Sequence, residues 1–386
     1  MPRKISIFGA TGSIGTNTLD LIRRDKSAYD VVALSGAGNI ALLAEQAREF
    51  HAEIAITALP ERLSDLRDAL AGSGIEAAAG ADAIAEAATR EVDWGMSAIV
   101  GAAGLRASMA LAKHGGILAL ANKESMVCAG DLLLAECAAH GTKMLPVDSE
   151  HSALFQAMNG ENPKALRRLI LTATGGPFKD FTRAQMRDVT PEQAVKHPKW
   201  NMGQRISIDS ASMFNKALEV IEAKYIFACK PAQIEVVVHP QAIVHSMVEY
   251  IDHTIIAHMG SPDMRGAIGY ALHWPNRAPN PISPLDFATL GSISFASPDE
   301  DKFPALRLAR EALTMGGHAG AIFNAAKEAA LDAFIAKKIG FLDMADMVEK
   351  TMYNPQLTPI RDQAQATLAQ ILAADTEARV LVNALI

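Results

Sequence analysis

Four consecutive residues, Asp148, Ser149, Glu150 and His151, follow the apolar run Leu145-Pro146-Val147. Two carboxylates, a hydroxyl and an imidazole stand where the apolar run of a buried strand ends. Close carboxylates repel unless a proton or cation sits between them. In extended backbone Asp148 and Glu150 share one side, two residues apart. Oxygen-only ligands suit a hard cation such as Mg²⁺ or Mn²⁺. The same residues also describe the first turn of a helix, HSALFQAM.

Three other stretches carry comparable chemistry. Asn122, Lys123 and Glu124 follow the run ILALA. They suit contacts to a bound ligand, and equally a helix cap with solvated charges. DSASMFNKALEVIEA places Asn215 and Glu219 at i, i+4 and Lys216 and Glu219 at i, i+3, on one helix surface beside Ser210. That surface can hold a phosphate and a further metal carboxylate, or be plain solvated charge. TATGGPF puts the Thr174 hydroxyl before two glycines. VKHPKWNMGQR carries His197, Trp200 and Gly203 in a segment with little periodicity. It reads as a surface loop or as a lid that excludes water.

The elements that must position these groups change along the chain. In the first half strand-like runs (KISIFG, VVALS, EIAIT, SAIVG, ILALA, KMLPV) alternate with helical patterns, and Gly72, Gly115 and Gly141 stand at helix ends. Alternation implies βαβ crossovers and a parallel sheet. In such a sheet ligands bind at the carboxyl ends of strands, where both polar clusters fall. After Ser149 the pattern becomes mixed. IEVVVH, AIVHSMVEY and TIIAHM read as neighbouring antiparallel strands, and SASMFNKALEVIEAKYIF as one strong helix. Proline is frequent from Trp274 to Pro304, and only helical patterns follow. The expected fold is α/β: an N-terminal Rossmann-like parallel sheet (1–148), a central α+β catalytic domain (149–274), a linker (275–304) and a C-terminal helical bundle (305–386).

GATGSIG, spaced GxxGxxG, lies in the first βα turn, where backbone N–H groups approach a pyrophosphate at a helix N-terminus. The second strand runs into Gly36-Ala37-Gly38-Asn39 without the acid that holds NAD ribose hydroxyls. NADP is therefore favoured, although no Arg or Lys stands in that turn. The formal net charge of −7 gives no field for nucleic acid or an anionic membrane. Three unevenly spaced cysteines, Cys128, Cys137 and Cys229, argue against a disulfide framework and a zinc site. No apolar window reaches the length of a membrane span. A cytoplasmic protein is expected.

GATGSIG, ALANKES, LPVDSEH, TGGPF, HPKWNMG, SIDSASMFNKALEVIEA, HPQAIVHSMVEY and GSPDMR, in this order, closely resemble the 1-deoxy-D-xylulose 5-phosphate reductoisomerases of isoprenoid biosynthesis. The resemblance covers nearly the whole chain. It implies an NADPH-dependent reductoisomerase with an essential Mg²⁺, Mn²⁺ or Co²⁺, acting on a small phosphorylated sugar as a homodimer. The implied metal ligands are Asp148, Glu150 and Glu219. Lys123 joins them in the catalytic set. The implied substrate contacts are Lys123, Ser149, Glu150, Thr174, His197, Ser210, Asn215, Lys216 and Glu219. Cofactor contacts fall on Thr11, Gly12, Ser13, Ile14, Gly38, Asn39, Asn122, Glu124 and Gly203, and a mobile loop on about Thr174 to Gly203. Gly38 stands where the family often has a basic residue, and Thr174 replaces a serine. HPKWNM and MFNKALE replace the commoner HPNWSM and MMNKGLE, without loss of a functional group. Two rivals remain open at this point. A thioester-forming semialdehyde dehydrogenase needs a nucleophilic cysteine, and a non-enzymatic NADP-binding module needs no carboxylate cluster.

Overall fold

The structure is a computed structural model, and it describes residues 1–196, 203–363 and 367–386. The chain forms two compact units. The first comprises Met1–Ser125, Leu133–Ser152 and Asp263–Ile282; the second comprises Met126–Leu132, Ala153–Pro262 and Ser283–Ile386. The four-part division expected from the sequence maps unevenly onto them. Residues 263–274 join the first unit, and the C-terminal helices share the second unit with most of the central segment.

The first unit is built on seven parallel strands: β1 (Arg3–Phe8), β2 (Tyr29–Gly36), β3 (Ile54–Thr57), β4 (Glu76–Ala79), β5 (Trp94–Ser97), β6 (Ile117–Leu120) and β7 (Lys143–Pro146). Their order is β4-β3-β2-β1-β5-β6-β7. The order reverses at β1, so the crevice beyond β1 and β5 is the topological switch point. Ile5, Ile7 and Phe8 are fully buried, as expected of a central strand covered on both faces. Two strand expectations need correction. β5 is WGMS rather than SAIVG, and Ile99 and Val100 lie beyond it. β4, in EAAA, has too little β-branched or aromatic character to be recognised.

The helix Arg265–His273 returns to this unit for a physical reason. It buries Ala267, Ile268, Tyr270, Ala271 and Leu272. Its Ala271 carbonyl accepts from the indole N–H of fully buried Trp94 at 3.0 Å. Arg265 pairs with Asp20 on the helix Ser13–Arg23 at 3.1 Å.

In the second unit β8 (Leu166–Ala173), β9 (Ile234–Val238), β10 (Val244–Tyr250) and β11 (Ile255–Met259) form a sheet ordered β11-β10-β8-β9. β10 is antiparallel to β11 and β8, but β9 runs parallel to β8 and does not neighbour β10. The helices between β8 and β9 form a crossover, which delivers the chain in a parallel sense. The stretch read as one helix is two, Gln204–Ala211 and Phe214–Ile226, broken where Met213 adopts φ +65°. Ser210 therefore lies near the end of a helix, not near the start of one. The proline-rich stretch is not bare linker, because Ala296 bridges Val238 at the end of β9. Helices Ala305–Met315, Ala319–Ile335, Asp343–Met352 and Leu368–Leu385 follow. Ala319–Ile335 is buried almost all round, as an apolar central helix must be.

The turn after β1 has no room for a side chain. Gly9 has φ +99°, and a Cβ there would lie 2.4 Å from the Ala98 carbonyl oxygen. We expect Gly9→Ala to destabilise the chain by roughly 1–3 kcal/mol. Urea unfolding at neutral pH measures this; an unchanged midpoint would show that the turn can relax.

Candidate active site

The glycine turn delivers the helix Ser13–Arg23 with its N-terminus at the switch point. No side chain caps that helix; its N-cap is Gly12. Backbone N–H groups in its first turn can meet an anion, with the dipole favouring negative charge. A Cβ on Gly15 would lie 2.3 Å from the Gly9 carbonyl oxygen, so this glycine is what lets helix and turn pack. Thr11 and Gly12 lie in the turn after β1, and Ser13 and Ile14 open the helix that follows. Gly38 and Asn39 follow β2, and Asn39 Oδ1 caps the next helix by accepting from Leu42 N at 3.2 Å.

Asn122 ends β6 as a buried connector. Its side-chain amide donates to the carbonyls of Ile99 (2.6 Å) and Gly101 (3.0 Å) and to Glu124 (2.7 Å), while Oδ1 accepts from Ser125 N. It caps the helix Lys123–His140 and also ties the loop after β5 to the end of β6. The charges beside it are not solvated, because Lys123 and Glu124 are both buried. Behind them Ser97, Ser108 and Ser125 join in a buried hydroxyl chain, each link 2.7 Å.

Lys123 reaches the acidic cluster. Its ammonium lies 2.8 Å from Asp148 Oδ1, and Nδ1 of fully buried His151 lies 3.4 Å from Asp148 Oδ2. Burial pushes the Asp148 carboxyl up, but the Lys123 charge and the His151 contact outweigh it. The carboxyl is held well below its ordinary value. The expected extended geometry is not found, since the helix Ser149–Ala157 starts at once. Glu150 therefore projects from a first helical turn, where its charge suits the dipole. It accepts a hydrogen bond from Ser149 Oγ.

The second unit carries a buried polar cluster of its own. Glu219 is fully buried on the helix Phe214–Ile226 and accepts from Asn215 Nδ2 at 2.6 Å and from Lys216 Nζ. Buried carboxylates require such partners, so Lys216 and Glu219 are internal and not part of a solvated charged face. Thr174 follows β8 directly, and its Oγ1 accepts from Gly176 N at 3.4 Å. A Cβ on Gly176 would lie 3.1 Å from the Ser210 carbonyl oxygen, so the TGG turn abuts the helix end that carries Ser210. Gly203 caps the start of that helix. His197 and Trp200 lie outside the described residues.

Sequence reasoning passed over Asp209. It anchors the Ser210 helix by a buried pair with Lys327 at 2.9 Å, and burial pushes its carboxyl up against the pull of Lys327. The two residues are 118 positions apart, and no local pattern signals the pair.

A parallel sheet with this strand order, a glycine turn at its switch point and polar groups at its strand ends defines a dinucleotide-binding oxidoreductase architecture. Comparison with known proteins narrows this. Family models match at residues 5–130 (1-deoxy-D-xylulose 5-phosphate reductoisomerase), 144–227 (its C-terminal domain) and 259–381 (DXP reductoisomerase C-terminal domain). A Ruegeria pomeroyi protein named 1-deoxy-D-xylulose 5-phosphate reductoisomerase is 57% identical over 99% of this chain and 97% of its own. A Zymomonas mobilis reductoisomerase solved in complex with NADPH is 49% identical, with TM-score 0.92 over 100% of this chain and 99% of that one. A DOX-P reductoisomerase solved with NADPH, fosmidomycin and magnesium is 40% identical, with TM-score 0.95 over 99% and 98%. The chain belongs to the 1-deoxy-D-xylulose 5-phosphate reductoisomerase family. The thioester rival also fails on chemistry. All three cysteines are buried, and burial pushes the Cys137 and Cys229 thiols up to about 11, away from reactive thiolate.

Removing the Lys123 charge leaves Asp148, 14% exposed at its side chain, with only His151 beside it. We expect Lys123→Met to cost about 3 kcal/mol in urea unfolding at pH 7. Asp148, lowered on folding, stabilises the native chain above its unfolded value near 3.8, and the gain is lost as pH falls through the folded value. In Lys123→Met the acid limb of the stability profile should begin at higher pH. An acid limb identical to wild type would show that the pair does not hold Asp148 ionised.

Proposed function

We propose that this chain converts 1-deoxy-D-xylulose 5-phosphate to 2-C-methyl-D-erythritol 4-phosphate, using NADPH and a divalent cation. Membership of the reductoisomerase family over the full chain supports the reaction. The site assignment rests on one observation above others: Asp148, its side chain only 14% exposed, is held towards its ionised form by Lys123 and His151, the state that a cation ligand needs in advance.

The residues fit both groups. The uncapped helix N-terminus at Thr11, Gly12, Ser13 and Ile14 takes the pyrophosphate of NADPH, and Gly38 and Asn39 flank its adenosine end. Asn122, Glu124 and Gly203 complete the cofactor contacts. NADPH, when bound, supplies the hydride that reduces the rearranged aldehyde. Asp148, Glu150 and Glu219 hold the cation through an oxygen-only donor set that suits Mg²⁺, Mn²⁺ or Co²⁺. A cation so held supplies a Lewis acid for the ketone and its neighbouring hydroxyl. Thr174, Ser210, Asn215, Lys216 and His197 bind the substrate phosphate, so that remote binding energy aligns the reacting carbons. His197 enters this set on resemblance alone. Lys123 and Ser149 orient the substrate backbone, and the segment from Thr174 to Gly203, with Trp200, excludes water.

We further propose a homodimer. β11 is an edge strand of its sheet and exposes Ile255, and an unpaired edge is a template for another chain. Sedimentation equilibrium should give the mass of two chains, and Ile255→Lys should shift it towards one. A cytosolic location belongs to the same reading. Its support is three free buried cysteines, and among the described residues no helix is long and apolar enough to cross a membrane.

The test is direct. Mixed with NADPH, Mg²⁺ and the pentulose phosphate, the protein should consume nicotinamide absorbance, and a chelator should stop it. Glu219→Gln keeps the shape and removes a charge. Turnover should fall at least about a hundredfold, while NADPH affinity by calorimetry stays within about twofold. Near-normal turnover at low cation concentration would remove Glu219 from the ligand set.

A further inference from the structure

The adenosine end of the first unit lacks an obvious charge. β2 ends at Gly36, and Ala37, Gly38 and Asn39 follow. The turn has no acid to repel a 2′-phosphate and no Lys or Arg to attract one. Its place is right for a ribose. A Cβ on Gly36 would lie 3.0 Å from the Thr11 side chain, so the end of β2 abuts the pyrophosphate turn. In this topology the ribose of a bound dinucleotide lies at the end of β2.

A cation arrives from the next connection instead. Thr57, the last residue of β3, donates through Oγ1 to the Ala37 carbonyl at 2.9 Å and accepts from Leu59 N at 3.2 Å. A short 3₁₀ turn, Pro60–Arg62, follows. Within it Arg62 Nη1 donates to the Gly38 carbonyl at 3.5 Å, and Nε donates to Asp65 Oδ2 at 2.5 Å. Asp65 thus holds one edge of the guanidinium while the Nη side faces the β2 turn. A guanidinium carries five donors, and these contacts occupy two. The Arg62 side chain is 40% exposed, so a ligand can reach it. A Cβ on Gly38 would meet only the Leu59 side chain, at 3.8 Å, which leaves space above the turn.

We propose that Arg62 is the residue that recognises the 2′-phosphate of NADPH, supplying the positive charge that the Gly36–Asn39 turn lacks. The proposal rests on the cofactor reading above. A planar guanidinium matches phosphate oxygens through paired N–H groups. It would set the preference for NADPH over NADH without touching the reacting atoms.

Calorimetric titration of the substrate-free protein with NADPH and with NADH tests this apart from turnover. Wild type should bind NADPH the more tightly. Arg62→Gln should weaken NADPH at least about tenfold and leave NADH within about twofold. Arg62→Lys should keep part of the preference, and Gly38→Arg added to Arg62→Gln should restore it. A wild-type NADPH-to-NADH ratio in Arg62→Gln would overturn the proposal. So would equal weakening of both nucleotides, which marks a merely structural role. If wild type shows no preference for NADPH, the cofactor reading itself fails, and the Arg62 assignment falls with it.

Discussion

A carboxylate removed from water must find a positive partner or lose its charge, and that constraint organises a polar cluster in each of the two units. In the first unit the partner of Asp148 is Lys123, one strand over in the sheet, with His151 beside it. In the second the partners of Glu219 are Lys216 and Asn215, one helical turn earlier. Desolvation alone would protonate such groups. The pairing keeps Asp148 anionic, and an anionic oxygen is what a hard cation binds.

The backbone makes these pairings possible. Strand ends in a parallel sheet converge on one edge, so Lys123 after β6 and Asp148 after β7 meet although 25 residues separate them. Asn122 stiffens that edge by holding two carbonyls of the loop after β5. In the second unit the same work falls to a break. With φ +65°, Met213 ends one helix and starts the next. That separates Ser210, beside the TGG turn, from the Asn215–Glu219 surface. A continuous helix would have put all of them on one rod.

The α/β alternation, the glycine turn and the acid-bearing strand ends were legible because each has a local period or a fixed offset. What escaped was non-local or locally ambiguous. EAAA forms β4 because β3 offers it an edge, not because alanine prefers strands. WGMS became β5 in place of SAIVG because pairing with β1 and β6 fixes the register, and an apolar run alone does not. The helical pattern runs unbroken through Met213, so periodicity had no means to mark the turn. Charge beside charge in Asn122-Lys123-Glu124 looks solvated in one dimension, and is buried in three. Asp209–Lys327 and Arg62–Gly38 are contacts of tertiary structure, with no sequence spacing to announce them.

The two lysines also suggest, on the proposed reading of the site, how one residue would serve both stability and binding. In the ligand-free chain Lys123 and Lys216 each bring one positive charge to a buried carboxylate. On the proposed reading, a divalent cation would bring two to a carboxylate that it met, and so satisfy its oxygens more strongly. Once those oxygens have another partner, an ammonium on a flexible four-carbon stem can turn to a different anion at little cost. A phosphorylated substrate offers such anions. On the proposed reading, counter-ion and substrate contact would be successive duties of the same side chain. A residue unable to leave its carboxylate, such as an arginine locked in a two-pronged pair, would perform the first and obstruct the second.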